Sequence, residues 1–258
     1  MPLERRAIGK AALPLSTDMA YRAITKRARA LGLDIRFTDC SVSFGERLAL
    51  HPLTLVLSER RIGVIGLNGS GKTTFARLIN GLVKPTKGRV EVNGLDTVKD
   101  DRAVLAEAGF IFQNPQHQLI MPIVSEDIAF GLKNRDLPAK EISLRTEALL
   151  ARFGISHLAK RRVHELSGGE TQLVAMASVL VTGPKILILD EPTNQLDLRN
   201  RRMVAETIDV LDEDTIVITH DLGLVEGVER LLLFHEGKLI ADGAPSETIR
   251  RYHEVAGC

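Results

Sequence analysis

Along this chain the spacing of apolar positions changes near Ile35. Residues 1–33 hold no helical or strand period. Beyond them, short β-branched and aliphatic runs are separated by glycine turns and by stretches of helical spacing, the pattern of an α/β domain. The runs predict strands over Ile35–Phe44, 53–57, Arg61–Ile65, 89–92, 109–112, 185–189, 215–219, 230–234 and 239–241. The early strands alternate apolar and polar side chains and read as antiparallel. Residues 186–189 and 216–218 are continuously apolar, as central parallel strands covered on both faces are. No strong strand falls between Gln113 and Ser167. That segment predicts helices over 125–134 and 138–153, the second opened by Pro138 and supported by Glu141 and Arg145 four residues apart. Its apolar residues Ile142, Leu149, Leu150 and Phe153 share one face. The expected fold class is α/β, with a helical subdomain inserted at 114–183 into a domain spanning 34–258.

At 258 residues, 44% hydrophobic and 26% charged, the chain can bury a real core. Its 34 basic and 33 acidic residues nearly cancel, so no global field favours nucleic acid or a lipid surface. No run approaches the about 18 consecutive apolar residues that cross a bilayer; action at a membrane would require other chains to hold the protein there. Cys40 and Cys258 are too few and too far apart for a disulfide framework or a zinc site. With no charged-then-apolar leader, the expected compartment is the cytoplasm. The first 33 residues form a basic extension in which Arg5, Arg6, Lys10, Arg22, Lys26, Arg27 and Arg29 face only Glu4 and Asp18. A weakly amphipathic stretch at 19–31 could touch anionic lipid or a partner. The plainer alternative is a loosely ordered extension, or a start at Met19, and the extension is assigned no function.

Four motifs carry chemistry. Gly66-Leu67-Asn68-Gly69-Ser70-Gly71-Lys72-Thr73 fits G-x-x-x-x-G-K-[ST], with an apolar strand before it and a helical run, 74–82, after it. Its backbone N–H groups and the helix end would cradle phosphates, Lys72 would hold β- and γ-phosphate oxygens, and Thr73 would ligate Mg²⁺. A glycine turn between strand and helix explains the glycines but not the Lys-Thr that follows. Residues 185–191 form a buried strand delivering Asp190 and Glu191 to its C-terminal end, where open α/β sheets place ligands. Asp190 suits the metal shell, and Glu191 is the candidate to polarise an attacking water. Taken alone, the pair could be a solvated acidic turn before Pro192. His220 ends the 215–219 strand at the same edge, where an imidazole can donate to a γ-phosphate; a lone histidine is more often structural. Finally, Leu166-Ser167-Gly168-Gly169-Glu170 opens a helix with an apolar stripe of Leu173, Val174, Ala177, Leu180 and Val181. It offers a hydroxyl and bare N–H groups to a second anion, although an ordinary N-cap with a glycine turn is a sensible reading of Ser167 alone. Two phosphate-binding devices in one chain, one on a helical subdomain, are most simply satisfied by two copies meeting head to tail.

Together these residues resemble the ATP-binding-cassette (ABC) ATPases, from about Ile35 to the C-terminus. The resemblance implies a phosphate-loop NTPase (RecA-like) core with an antiparallel β-subdomain, and hydrolysis of ATP with Mg²⁺. Gly66, Asn68, Gly69, Ser70, Gly71, Lys72, Thr73 and Thr74 look like the Walker A loop and its helix start. Asp190 with Glu191 resembles Walker B and the catalytic glutamate. Ser167, Gly168, Gly169 and Glu170 look like the signature, and His220 like the switch histidine. Gln113 is similar to the glutamine that touches metal and attacking water, residues 194–197 to the loop that crosses the dimer interface, and Phe44 to the aromatic residue that stacks on adenine, with a core phenylalanine as its alternative. Residues 112–119 and 125–131 look like the ATPases of energy-coupling-factor importers. The end of the chain 38 residues after His220 suits the biotin type. That type implies a homodimer, with a heterodimer as alternative, on the cytoplasmic membrane face. Its partners would be a transmembrane coupling protein and a substrate-binding membrane protein. Cobalt, nickel or another micronutrient is the alternative cargo, and a non-transport ATPase of the same family or a phosphate-loop kinase or GTPase the alternative function. Asn194 and Gln195 replace the family's small residues, and Leu173 stands where arginine is frequent.

Overall fold

The computed structural model describes residues 33–257; Cys258 and the basic extension, up to residue 32, lie outside the described residues. In chain order the elements are β1 (Ile35–Phe44), β2 (Arg47–Leu57), β3 (Arg61–Ile65), α1 (Lys72–Ile79), β4 (Lys87–Val92), β5 (Leu95–Asp96), α2 (Asp101–Glu107) and β6 (Ala108–Ile111). They continue with α3 (Val124–Phe130), α4 (Ala139–Arg152), α5 (Gly168–Leu180), β7 (Ile186–Asp190), α6 (Leu198–Asp209), β8 (Asp214–Ile218), β9 (Arg230–His235), β10 (Lys238–Gly243) and α7 (Pro245–Ala256). An antiparallel sheet runs β2-β1-β4-β5, and a six-stranded sheet runs β10-β9-β3-β8-β7-β6. In the larger sheet every pairing is parallel except that of β10 with β9. The continuously apolar β7 is buried at all five positions, as a strand covered on both faces must be.

Two cores fix the site. Phe37 of β1, Phe75 of α1 and Phe234 of β9 form an aromatic column, with successive ring centroids 4.9 Å apart, that pins α1 between the two sheets. Cys40 lies in the same core, and burial, aided by Asp39, pushes its thiol up to about 11. On the opposite face of the large sheet, Ile111, Leu187, Leu189 and Val217 pack against Ile128, Leu149, Leu150, Leu173, Val174 and Leu180 from the helices. The helical segment therefore shares its core with the sheet. Leu173 is buried there at 2% exposure, which gives the departure from arginine a packing reason.

Polar contacts lock this layer. Buried Asp127 accepts from the backbone N–H of Ile120 (2.6 Å) and Met121 (2.8 Å) and from the Ser178 hydroxyl (2.8 Å), tying the loop after β6 to α3 and α5. Gln118 accepts from Phe112 N–H and donates to Phe110 C=O, standing in for a neighbouring strand along the edge of β6. Arg152 of α4 donates two bonds, 2.9 and 3.0 Å, to the carboxylate of buried Glu213 just before β8. Arg152→Ala is expected to cost about 3 kcal/mol, because it takes a doubly bonded cation away from a buried carboxylate; a denaturant midpoint within error of the wild type would refute this.

The structure corrects the sequence reading in places. The helix expected over 125–134 stops at Phe130 and continues as turns, and the one expected over 74–82 is α1, which starts at Lys72 and ends at Ile79. The strand expected over 53–57 begins at Arg47. Four elements, β5, α2, α6 and α7, have no counterpart in the sequence-based assignment.

Candidate active site

The C-terminal ends of β3 and β7 deliver the two halves of the site. After Ile65 the chain turns through Gly66, whose φ of 148° few side chains tolerate and whose Cβ would fall 2.1 Å from the Phe234 carbonyl oxygen. The loop then climbs to α1, closed by a Ser70 N–H bond to Leu67 C=O (3.1 Å) and a Gly237 N–H bond to Ser70 C=O (3.0 Å). It borders an open cleft of about 320 Å³, within the range of small-ligand pockets. Asn68, Gly69, Ser70, Gly71, Lys72, Thr73 and Thr74 line this cleft together with Phe44, Gln113 and Glu191. Gly66 does not line it; its carbonyl accepts from Lys72 Nζ instead.

Lys72 is 6% exposed and folded back, its Nζ donating to the carbonyls of Gly66 (2.7 Å) and Leu67 (3.1 Å). Burial lowers its pKa below the ordinary lysine value, against the pull of Glu191 and Asp190. The Thr73 hydroxyl donates to Asp190 Oδ1 at 3.1 Å, joining residues 117 apart in sequence. Burial raises the pKa of Asp190, opposed by the Thr73 bond and by the Arg77 and Lys72 charges, with Glu191 adding to the rise. The next residue, Glu191, sits at φ 53°, a left-handed conformation uncommon for a side-chain-bearing residue and a form of strain that clusters at functional sites. Its backbone is held there by N–H donation to Ile218 C=O (2.8 Å) and by accepting from Asn194 N–H (3.0 Å). Its Oε2 accepts from the N–H of His220 at 3.3 Å and lies 2.8 Å from His220 Nδ1. With Glu191 ionised, Nδ1 carries the proton, so the imidazole orients the carboxylate. The structure thus gives His220 a carboxylate partner.

Phe44 is 55% exposed at the cleft rim, outside the core that was its alternative place. Gln113 is exposed on the loop after β6 and reaches the same cleft.

Ser167, Gly168, Gly169 and Glu170 do not line this cleft. Ser167 caps α5 by accepting from Glu170 N–H (3.3 Å), and the Glu170 carboxylate turns back to accept from Ser167 N–H (2.8 Å), with Arg161 3.6 Å away. The Ser167 N–H bond, the largest of the lowering influences, holds Glu170 below the ordinary carboxylate range. Gly169 is a close-approach glycine, since a Cβ there would come within 2.4 Å of Asn200 Oδ1 on α6. Asp197 caps α6 by accepting from Asn200 N–H, and Gln195 before it has φ 61°.

Sequence reasoning missed Arg47, which opens β2 and lines the cleft beside the phosphate loop. The available signal was its place directly across a two-residue hairpin from Phe44. Arg77, one of the charges acting on Asp190, was missed too; its position four residues after Thr73, one helical turn on, was the cue.

A family model described as ABC transporter matches residues 50–194. The chain is 63% identical over 224 residues to the biotin transport ATP-binding protein BioM of Rhizobium etli, covering 87% of this chain and 100% of that protein. It is 41% identical over 190 residues to the energy-coupling factor transporter ATP-binding protein EcfA1 of Halalkalibacterium halodurans, 72% of this chain and 68% of the other. Among solved structures, cbiO1 from Clostridium perfringens, part of the ABC transporter complex cbiONQ, superposes with a TM-score of 0.77 at 30% identity, covering 88% of this chain and 94% of that one. A phosphate loop facing a strand-end carboxylate pair, in a chain with these relatives over most of its length, makes this protein an ATP-hydrolysing member of the ABC transporter family.

Proposed function

We infer that this chain is the motor of an energy-coupling-factor importer for a micronutrient, biotin being the first candidate. It works as a homodimer in which each ATP is gripped by the phosphate loop of one copy and the Ser167-Gly168-Gly169 helix start of the other. The observation that carries the dimer is the separation of the two phosphate-binding devices, since residues 167–170 stay off the cleft that the loop lines. What supports biotin is the identity with BioM over that protein's whole length. Another micronutrient, such as cobalt or nickel, is the alternative cargo. Among the described residues no helix is long and apolar enough to cross a membrane. On the importer reading the chain sits peripherally on the cytoplasmic face, held by a transmembrane coupling protein beside a substrate-binding membrane protein.

Within the site, Lys72 leaves the Gly66 and Leu67 carbonyls to hold phosphate oxygens, and the loop N–H groups take the rest of the charge. Glu191, oriented by His220, accepts the proton of the attacking water. Thr73 and Asp190 present two oxygens 3.1 Å apart, and among the described residues no group of three or more His, Cys, Asp or Glu side chains is placed to hold a metal ion. That donor set fits Mg²⁺, which takes few protein carboxylates and completes its shell with phosphate and water. Gln113 would add an amide oxygen. The ion supplies neutralisation of charge developing on the phosphates.

A mixing experiment tests the dimer. Lys72→Ala and Gly168→Asp are each expected to abolish turnover, whereas a mixture regains it, because a mixed pair contains one intact composite site. No recovery, in a preparation whose wild-type activity per chain does not fall on dilution, would overturn the reading. For the cargo, the complex purified from membranes should retain a vitamin; retention of a metal ion would decide for the alternative.

A further inference from the structure

We propose that Arg47 is a binding residue for the nucleotide, holding the part of the polyphosphate nearest the base. The inference rests on reading the cleft as the ATP site and adds to it a cation that none of its motifs contains. Arg47 begins β2 and Phe44 ends β1; the two are direct register partners, with only Gly45 (φ 60°) and Glu46 between them. Cross-strand partners project from the same face of a two-stranded ribbon, and both of these side chains line the cleft. On its other side Arg47 reaches the phosphate loop, where its Nη2 lies 4.0 Å from the point that a Cβ on Gly69 would occupy. Nothing else comes within 4 Å of that point, so the space over Gly69 is left to the guanidinium.

The guanidinium therefore stands between an exposed aromatic ring and a loop of phosphate-binding N–H groups. Among the described residues it has no ion-pair partner, unlike Arg152, Arg161 and Arg230, which all face carboxylates. Lys72, the other cation of the cleft, is buried at the closed end near Asp190 and Glu191. The two positive charges thus serve opposite ends of one ligand. With the base on Phe44 and the terminal phosphates at Lys72, the atoms passing Arg47 are the ribose and the α-phosphate. A planar fork of donors suits a phosphate there better than a point charge does.

Calorimetric titration of ATP and ADP into the full chain, with adenosine measured by competition, tests this for wild type, Arg47→Ala and Arg47→Lys. Arg47→Ala should weaken ATP and ADP by the same factor, roughly tenfold, and flatten the salt dependence of binding. It should leave adenosine and the melting midpoint unchanged, and Arg47→Lys should recover part of the loss. Unchanged ATP and ADP affinities in Arg47→Ala, beside a wild type that binds them, would overturn the proposal. So would an equal loss for adenosine, which would mean that the hairpin and its ring had moved. A wild type that binds no ATP would instead sink the reading of the cleft itself.

Discussion

Glu191→Gln should lower kcat by roughly 10²–10⁴-fold, equivalent to about 3–5 kcal/mol of barrier, while leaving nucleotide affinity in place. The amide has the size of the carboxylate and keeps an oxygen able to accept from His220 N–H and Nδ1–H, so the strained backbone at φ 53° retains its supports. What disappears is the carboxylate proposed above to take the proton of the attacking water. Because hydrolysis is what parts the two copies in the proposed cycle, the same variant should accumulate as a long-lived ATP-bound dimer. Single-turnover assays and size-exclusion chromatography with saturating ATP and Mg²⁺ measure the two effects separately. Full-rate turnover would remove Glu191 from the chemistry; a slow variant that stays monomeric would leave the chemistry and remove the dimer cycle.

Gly66→Ala should be nearly as damaging, by a different route. An added methyl at φ 148° meets the Phe234 carbonyl oxygen at 2.1 Å and the Ser70 hydroxyl at 2.7 Å, and a backbone carbonyl in a buried strand cannot give way. Backbone strain and overpacking together should cost about 4 kcal/mol, lowering the melting midpoint by roughly 10 °C in a domain of this size. Any folded fraction should bind ATP poorly, since the loop would be displaced from Lys72 and Ser70. A melting midpoint and ATP affinity matching the wild type would contradict this account of the loop.

What the sequence made legible follows the range of the forces involved. Strands β1 and β3 have the boundaries their apolar runs predict, because alternation and continuous burial act residue by residue. The phosphate loop was legible because its glycines, lysine and threonine are contiguous. The N-cap alternative for Ser167 is what the fold displays, its hydroxyl accepting from Glu170 N–H while the Glu170 carboxylate satisfies Ser167 N–H. By contrast, β5 is two residues long, and only the Asn93-Gly94 turn before it marked its presence. Helix α2 is seven residues with one buried side chain, too little for a period to emerge. The bond between Thr73 and Asp190 is a product of sheet order, and the approach of Arg47 to Gly69 of the packing of one sheet beside the other, neither of which local spacing encodes.

The apolar cluster that unites Leu149, Leu150 and Leu173 with Leu187, Leu189 and Val217 has a mechanical consequence. With no hinge of solvent between helices and strands, any tilt of the outer layer has to slide packed side chains over one another, a shear that proceeds in small steps. The packing thus gives a displacement of α4 a contiguous path of side chains to Leu187 and Leu189 of β7, the strand that ends in Asp190 beside the cleft.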